Sequence, residues 1–294
     1  MSDPSIEVTA APRAAAVLPR RSILERGYGS ILVHVQPDAP GRVACAQALA
    51  QRFDARLIGI GAEALQPIAV GPATGLAQAG WTAVTVEAIQ RSLDQAHELF
   101  DRGPEGVEQI WEQAMEMPAD LIARVARAAD LIVASRAPPP RSLFRDADPG
   151  ELALTAGRPV LFAPEGAKPL RAERVVVAWK ECREARRALF DAMPILCSAT
   201  EVLVLAVNSE EGAEARQGVQ DVGAALTRRG VRATNLVAPV HGAEGEEILR
   251  LAKRFGADVI VAGAYGAPRL QEWIFGGVTR ALLAQEEVHV LFSH

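Results

Sequence analysis

Cysteine is scarce in this chain. Cys45, Cys182 and Cys197 share no Cys-x-x-Cys spacing, and any pairing leaves one thiol over. A disulfide framework is therefore not expected, and a reducing cytoplasm is the natural setting. An excess of basic residues is also lacking: 31 Lys and Arg stand against 36 Asp and Glu, for a net charge of −5. A surface that tracks a nucleic-acid backbone needs the opposite balance, so nucleic acid drops out as a partner. No apolar run approaches the length that spans a bilayer. The first residues include the acidic Asp3 and Glu7, Pro12 and Pro19 interrupt the Ala-rich run, and no secretory leader is expected. The five histidines show no metal-ligand spacing, and no Ser-His-Asp or Cys-His pairing suggests a nucleophile. His34, His97 and His289 are read as satisfied structural residues. Neither a Walker A loop nor a G-x-G-x-x-G fingerprint occurs.

What is present is an ordinary globular composition, 49% hydrophobic and 23% charged, in 294 residues, long enough for two α/β domains. Residues 1–27 have no period that would bury a face and are expected to form a mobile tail. From Ser30, ILVHV reads as a buried strand, followed by a helix over 41–53 and a strand over 56–61. This rhythm with short connections implies parallel pairing through right-handed crossovers. A Gly/Pro/Ala-rich insertion over 63–80 reads either as a lid over the C-terminal edge of the first sheet or, the favoured reading, as a packed surface loop. Beyond it come a helix over 84–101, a weak strand over 107–111, a helix over 119–128, and strands over 130–134 and 159–162.

The second half repeats the order. Strands are expected over 175–179, 201–207, 231–238, 258–262 and 288–292, and helices over 183–193, 213–229, 244–255 and 278–285. ADLIARVARAADLIVAS in the first half faces EEILRLAKRFGADVIVAG in the second, and PVLFAP faces HVLFSH, each about 130 residues apart. The first strands lie about 144 apart, and the 63–80 insertion accounts for the difference. Duplication therefore predicts domains over 28–165 and 172–294, built as two matching sheets and not as one continuous sheet.

The most informative stretch is GADVIVAGAYGAPRLQEWIFGGVT, from Gly256 to Thr279. A short buried strand ends at Gly263, Gly266 follows, and Gly276 and Gly277 open a new amphipathic segment. A strand, a glycine-punctuated loop and a helix start can present backbone N–H groups and a helix dipole to an anion. This pattern resembles the universal stress protein family, whose nucleotide-binding members carry G-x-x-G, nine residues, then G followed by Ser or Thr. Gly263, Gly266 and Gly276 match, and Gly277 stands where the hydroxyl belongs.

The resemblance covers about residues 29–294. It implies two doubly wound five-stranded parallel sheets of strand order 3-2-1-4-5, flavodoxin-like, with ligand beyond the carboxyl ends of strands 1 and 4. It further implies a stress-response protein that binds ATP or AMP in its second half, with a cofactor-binding set of Ala178, Lys180, Val207, Gly263, Gly266, Gly276, Gly277, Val278 and Thr279. Lys180 replaces the family's Asp and cannot accept a hydrogen bond. Thr279, two residues into a helix, is expected to turn away from the loop. Fifth strands pair antiparallel in family dimers, so VLF at 160–162 and at 290–292 are expected to join the halves. Pairing of whole chains, or with another protein, stays open.

In the first half the corresponding loop is RAPPPRSLFRDADPG. Pro138, Pro139 and Pro140 remove donors, Asp146 and Asp148 bring negative charge, and Gln36 takes the Asp position. This half is expected to bind no nucleotide and to serve as a structural partner. Lys180 is expected either to face an anion or to pair with Glu181 or Glu184. The run KECREARR reads as a solvated helix face, and Trp273 and Phe275 as anchors of their loop. Cys182, near a helix start, admits a lowered thiol pKa and oxidant sensing, although packing is the favoured reading. No catalytic residue is assigned, because the loop offers no general base or metal-binding carboxylate. The alternative to nucleotide binding is a scaffold of the same fold that acts through its surface.

Overall fold

The computed structural model describes residues 27–66, 75–135, 142–164, 170–208, 213–265 and 277–294, with the backbone alone at 75–82 and 208. Residues 1–26 of the expected N-terminal tail, residues 67–74 of the insertion, Pro138 to Pro140, and Gly266 to Gly276 with Trp273 and Phe275 lie outside these residues.

The first half runs β1 (Ser30–His34), α1 (Pro40–Phe53), β2 (Arg56–Ala62), α2 (Gly75–Asp101), β3 (Gln109–Ala114), α3 (Pro118–Val125), β4 (Leu131–Ser135), α4 (Pro149–Thr155) and β5 (Val160–Ala163). The second runs β6 (Arg174–Ala178), α5 (Arg183–Asp191), α6 (Met193–Ser198), β7 (Glu201–Asn208), α7 (Ala213–Thr227), β8 (Ala233–Pro239), α8 (Glu244–Phe255), β9 (Val259–Gly263), α9 (Gly277–Ala284) and β10 (His289–Ser293). α2 begins at Gly75, so the insertion is not all loop. The helix expected over 183–193 is two helices, because Pro194 near the start of α6 cannot donate into a continuing ladder. α4 is an addition to the sequence reading. It is capped by Asp148, whose side chain accepts the Glu151 N–H at 2.9 Å. The third strand lies slightly later than expected, over 109–114.

Each half has strand order 3-2-1-4-5, parallel throughout. The two do not remain separate sheets, which corrects that expectation. β5 and β10 pair antiparallel, with Leu161 opposite Leu291, and the result is one ten-stranded sheet, β3-β2-β1-β4-β5-β10-β9-β6-β7-β8. The cause is the edge each half presents. Both VLF strands are fully buried, and pairing satisfies backbone groups that would otherwise lie bare. Phe162 and Phe292 meet edge to face, 6.1 Å between centroids, across the junction.

The duplication survives this correction because its details recur bond for bond. The Asp130 carboxylate accepts the Gly29 and Ser30 N–H groups at 2.8 and 3.2 Å. The Asp258 carboxylate accepts those of Glu173 and Arg174 at the same two distances. Each Asp thus ties the entry of its half's fourth strand to the entry of its first. Further ties cross between halves: the Tyr28 hydroxyl donates to the Asp191 carbonyl at 2.9 Å, and Arg52 donates to the carbonyls of Arg171 and Ser198. Apolar clusters fill both faces of the joined sheet.

Candidate functional site

The second half's crevice lies where β6 and β9 end side by side and their connections diverge. β6 gives Ala178, which is buried, then Trp179, whose N–H donates to the Leu205 carbonyl at 2.7 Å and prolongs the pairing with β7. The Trp179 indole packs on α7 at Gly218. Lys180 follows, 73% exposed at its side chain, with its Nζ 3.6 Å from the Glu244 carboxylate at the start of α8. Its partner is therefore neither Glu181 nor Glu184. Glu181 is taken by Arg186, and Glu184 bonds Arg183 at 3.2 Å. An ion pair this exposed is worth little, so the ammonium is available to an incoming anion. Val207, half-buried, ends the described side chains of β7.

The glycines divide into two roles. Gly263, the last residue of β9, has no room for a side chain: a Cβ there would lie 2.6 Å from the Ala185 nitrogen and 2.6 Å from the Glu184 carbonyl carbon. This glycine lets the strand end meet the first turn of α5 backbone to backbone. Gly277, the first residue of α9, is the opposite case, exposed and with nothing among the described residues within 4 Å of an added Cβ. Val278 lies against Gly245 where α8 and α9 cross. Gly266 and Gly276 lie outside the described residues.

Thr279 does not turn away. It is 3% exposed, and its hydroxyl accepts the Tyr265 N–H at 3.4 Å, holding the start of the loop to the first turn of α9. Tyr265 adopts a left-handed backbone, φ 56°. The preceding Ala264 is fixed by its N–H to the Ser293 carbonyl, and its own carbonyl lies 3.0 Å from the His294 Nδ1.

Cys182 stands before the first turn of α5, but burial, ahead of a neighbouring carboxylate, raises its thiol above the ordinary range. That corrects the oxidant-sensor expectation, which requires a stabilised thiolate. At Glu184, burial pushes upward, yet its own backbone N–H, the Cys182 thiol, Arg183 and His294 together hold the carboxyl below its usual value.

In the first half the same place is largely taken up by side chains. Gln36, the counterpart of Lys180, is buried; its Oε1 accepts from Arg42 Nη2 at 2.7 Å, and its Nε2 donates to the Arg145 carbonyl at 2.7 Å and to Asp146 Oδ1 at 3.1 Å. Asp146 Oδ2 accepts the Ser142 N–H at 3.2 Å. Gln36 and Asp146 were singled out separately in the sequence; their meeting was not. The available signal was Arg42, a lone charge on the inward face of an otherwise small and apolar helix. His34 also departs from expectation. It is 1% exposed, and its Nε2 has no hydrogen-bond partner.

Comparison with known proteins agrees with this architecture. The family model described as "Universal stress protein family" matches residues 172–294. No curated protein matches the chain. Among solved structures, a universal stress protein from Archaeoglobus fulgidus DSM 4304 superposes with a TM-score of 0.68 at 14% identity, covering 90% of this chain and 98% of that one. A functionally unknown protein from Pseudomonas aeruginosa PAO1 superposes with a TM-score of 0.57 at 18% identity, covering 92% and 94%. Residues 172–294 thus belong to the universal stress protein family, and the chain as a whole carries that family's fold in tandem.

Proposed function

We propose that this chain is a stress-protein binding module that takes an adenine nucleotide, ATP or AMP, at the carboxyl ends of β6 and β9. The observation that carries this reading is the contrast between the two crevices. The first is occupied by Gln36 and Asp146, whereas in the second no described residue crowds Gly277 at the start of α9, and Lys180 presents an exposed ammonium. Exposed N–H groups at a helix start, near a cation, suit a phosphate. The proposed role is binding rather than turnover.

The test is to purify the protein without added nucleotide, denature it and measure released adenine, then titrate ATP, ADP and AMP by calorimetry. Gly277→Ser restores the hydroxyl found in nucleotide-binding relatives, and its side chain enters open space. It is expected to tighten binding about tenfold, the worth of one hydrogen bond to a charged group. Gly266→Val, in the loop between, is expected to weaken it.

A second reading is a scaffold that acts through its surface. Lys180 favours it, since an acceptor is lost where nucleotide-binding relatives carry Asp. A protein that releases no adenine and gives no heat with any of the three nucleotides establishes that reading over the first.

A further inference from the structure

The crevice of the first half is polar, buried and incompletely filled. At the carboxyl ends of β1 and β4 a cavity of about 10 Å³, room for roughly one water, is lined by His34, Arg42, Ser135, Asp146, Ala147 and Ile122, among others. Arg42 is 5% exposed, and its guanidinium stays charged at any ordinary pH. A cation this deep needs an anion in reach, and the carboxylate that lines the same cavity is Asp146. Arg42 also fixes the Gln36 amide: with Oε1 accepting from the guanidinium, Nε2 must point its hydrogens at an acceptor. The Ser142 N–H points at the same carboxylate. Against these donors stands an acceptor that no described residue serves, His34 Nε2, which is buried and lines the cavity beside Asp146. Asp146 can supply acceptors to Gln36 and Ser142, but an ionised carboxylate has no proton to give an imidazole lone pair.

The geometry points to an oxyanion site in the first half, of which Asp146 is the resident occupant. The ligand that completes it is an oxyanion that still carries a hydroxyl, such as hydrogen phosphate or a phosphate monoester in its singly protonated form. Its charged oxygens take over the Gln36, Ser142 and Arg42 donors, and its P–OH donates to His34 Nε2. No bond is made or broken. Asp146 swings out as the anion enters, so the apparent affinity is lowered by the fraction of time the carboxylate holds the site.

The experiment is titration of inorganic phosphate into the full-length protein, followed by calorimetry and by the imidazole ¹⁵N resonances of His34. Asp146→Ala removes the occupant and is expected to bind phosphate at least tenfold more tightly than the wild type. Phosphate, and not sulfate, which carries no proton at neutral pH, is expected to move the His34 resonance. Asp146→Asn keeps the shape and removes only the charge; it is expected to gain affinity as well and serves if the alanine variant folds poorly. Adding Gln36→Glu to Asp146→Ala places a carboxylate against the site and is expected to abolish the gain. Unchanged affinity in both Asp146 variants, a gain that survives Gln36→Glu, or a His34 resonance indifferent to phosphate overturns the proposal. The second half's crevice is untouched by these substitutions, so nucleotide binding there stands or falls separately.

Discussion

Gly263 and Gly277 look alike in the sequence, two members of one glycine motif, yet the structure separates them sharply enough to measure. A Cβ at Gly263 would lie 2.6 Å from two backbone atoms at the start of α5, about 0.8 Å inside ordinary contact at 3.4 Å. Neither atom belongs to a side chain that can rotate aside. α5 must shift, and it packs on both β9 and β10, so the shift is resisted from two strands. Overpacking of this kind costs about 1–3 kcal/mol, and for a chain of this size each kcal/mol lowers the melting temperature by roughly 2–4 °C. Gly263→Ala is therefore expected to melt several degrees below the wild type, with its urea midpoint lowered and its m-value unchanged. Gly277→Ala meets nothing within 4 Å among the described residues and is the matched control, expected to melt within about a degree of the wild type or slightly above it. The two melting curves decide the matter without any ligand present. If Gly263→Ala melts with the wild type, the strand end does not press on the helix, and Gly263 returns to the ligand loop.

The junction between halves is tested by Leu161→Ala, which empties a fully buried site at the centre of the β5–β10 pairing; a loss of about 2–5 kcal/mol is expected, read from urea unfolding. The two strand-entry ties are tested by Asp130→Ala and Asp258→Ala, each leaving two backbone N–H groups without a side-chain acceptor, with an expected cost of about 1–3 kcal/mol apiece. The acid stability of the first half follows from His34. Burial first, then Arg42 and Arg145, holds its imidazole well below 6.5, so the unfolded chain takes up a proton that the folded one refuses. The stability this gives is present above about pH 6.5 and is lost as pH falls below it, at up to about 1.4 kcal/mol per pH unit. His34→Gln is expected to flatten that slope between pH 6.5 and pH 5; an unchanged slope assigns the acid sensitivity to other groups. Cys182, with its raised thiol, is expected to react slowly with iodoacetamide at pH 7.5 compared with glutathione, as followed by mass spectrometry.

Much of the fold was legible in the sequence because it rests on short-range signals. Runs such as ILVHV and VIVAG are buried on both faces of a parallel sheet, which makes them continuous apolar strings that composition alone reveals. The internal repeat was legible for the same reason, since both copies need the same strings in the same order. What escaped lay in relations between distant residues. Gln36 and Asp146 are 110 positions apart, and only the closure of the sheet brings the amide to the carboxylate. The bond from Tyr265 to Thr279 was hidden because helical periodicity gives the direction of a side chain, not the course of the backbone that returns to meet it. The role of Gly263 was hidden by chemistry: a glycine reads the same whether it makes way for a phosphate or for a neighbouring helix.

The joined sheet bears on how the two crevices relate. A parallel half-sheet leaves its fifth strand bare on one side, and in this chain that edge is satisfied internally by the only antiparallel pairing among the described strands. Antiparallel pairing turns one half around relative to the other. The carboxyl ends of β1 and β4 and those of β6 and β9 therefore lie at opposite ends of the shared sheet. A molecule at one crevice cannot bridge to the other, and any influence between them must cross the β5–β10 seam or the side-chain ties that flank it. The seam is built to resist local change: its side chains are fully buried, aromatic contact crosses it, and Ser293, at the end of β10, both donates from its hydroxyl to Asp191 at 2.6 Å and accepts the Ala264 N–H beside the second crevice. Asp191 in turn accepts at its carbonyl from Tyr28, just ahead of β1. A continuous set of bonds thus runs from the edge of the second crevice to the entry of the first half's central strand, reaching the end of that strand opposite its crevice. It ties the two halves together beside the seam, and the two crevices lie at opposite ends of one sheet.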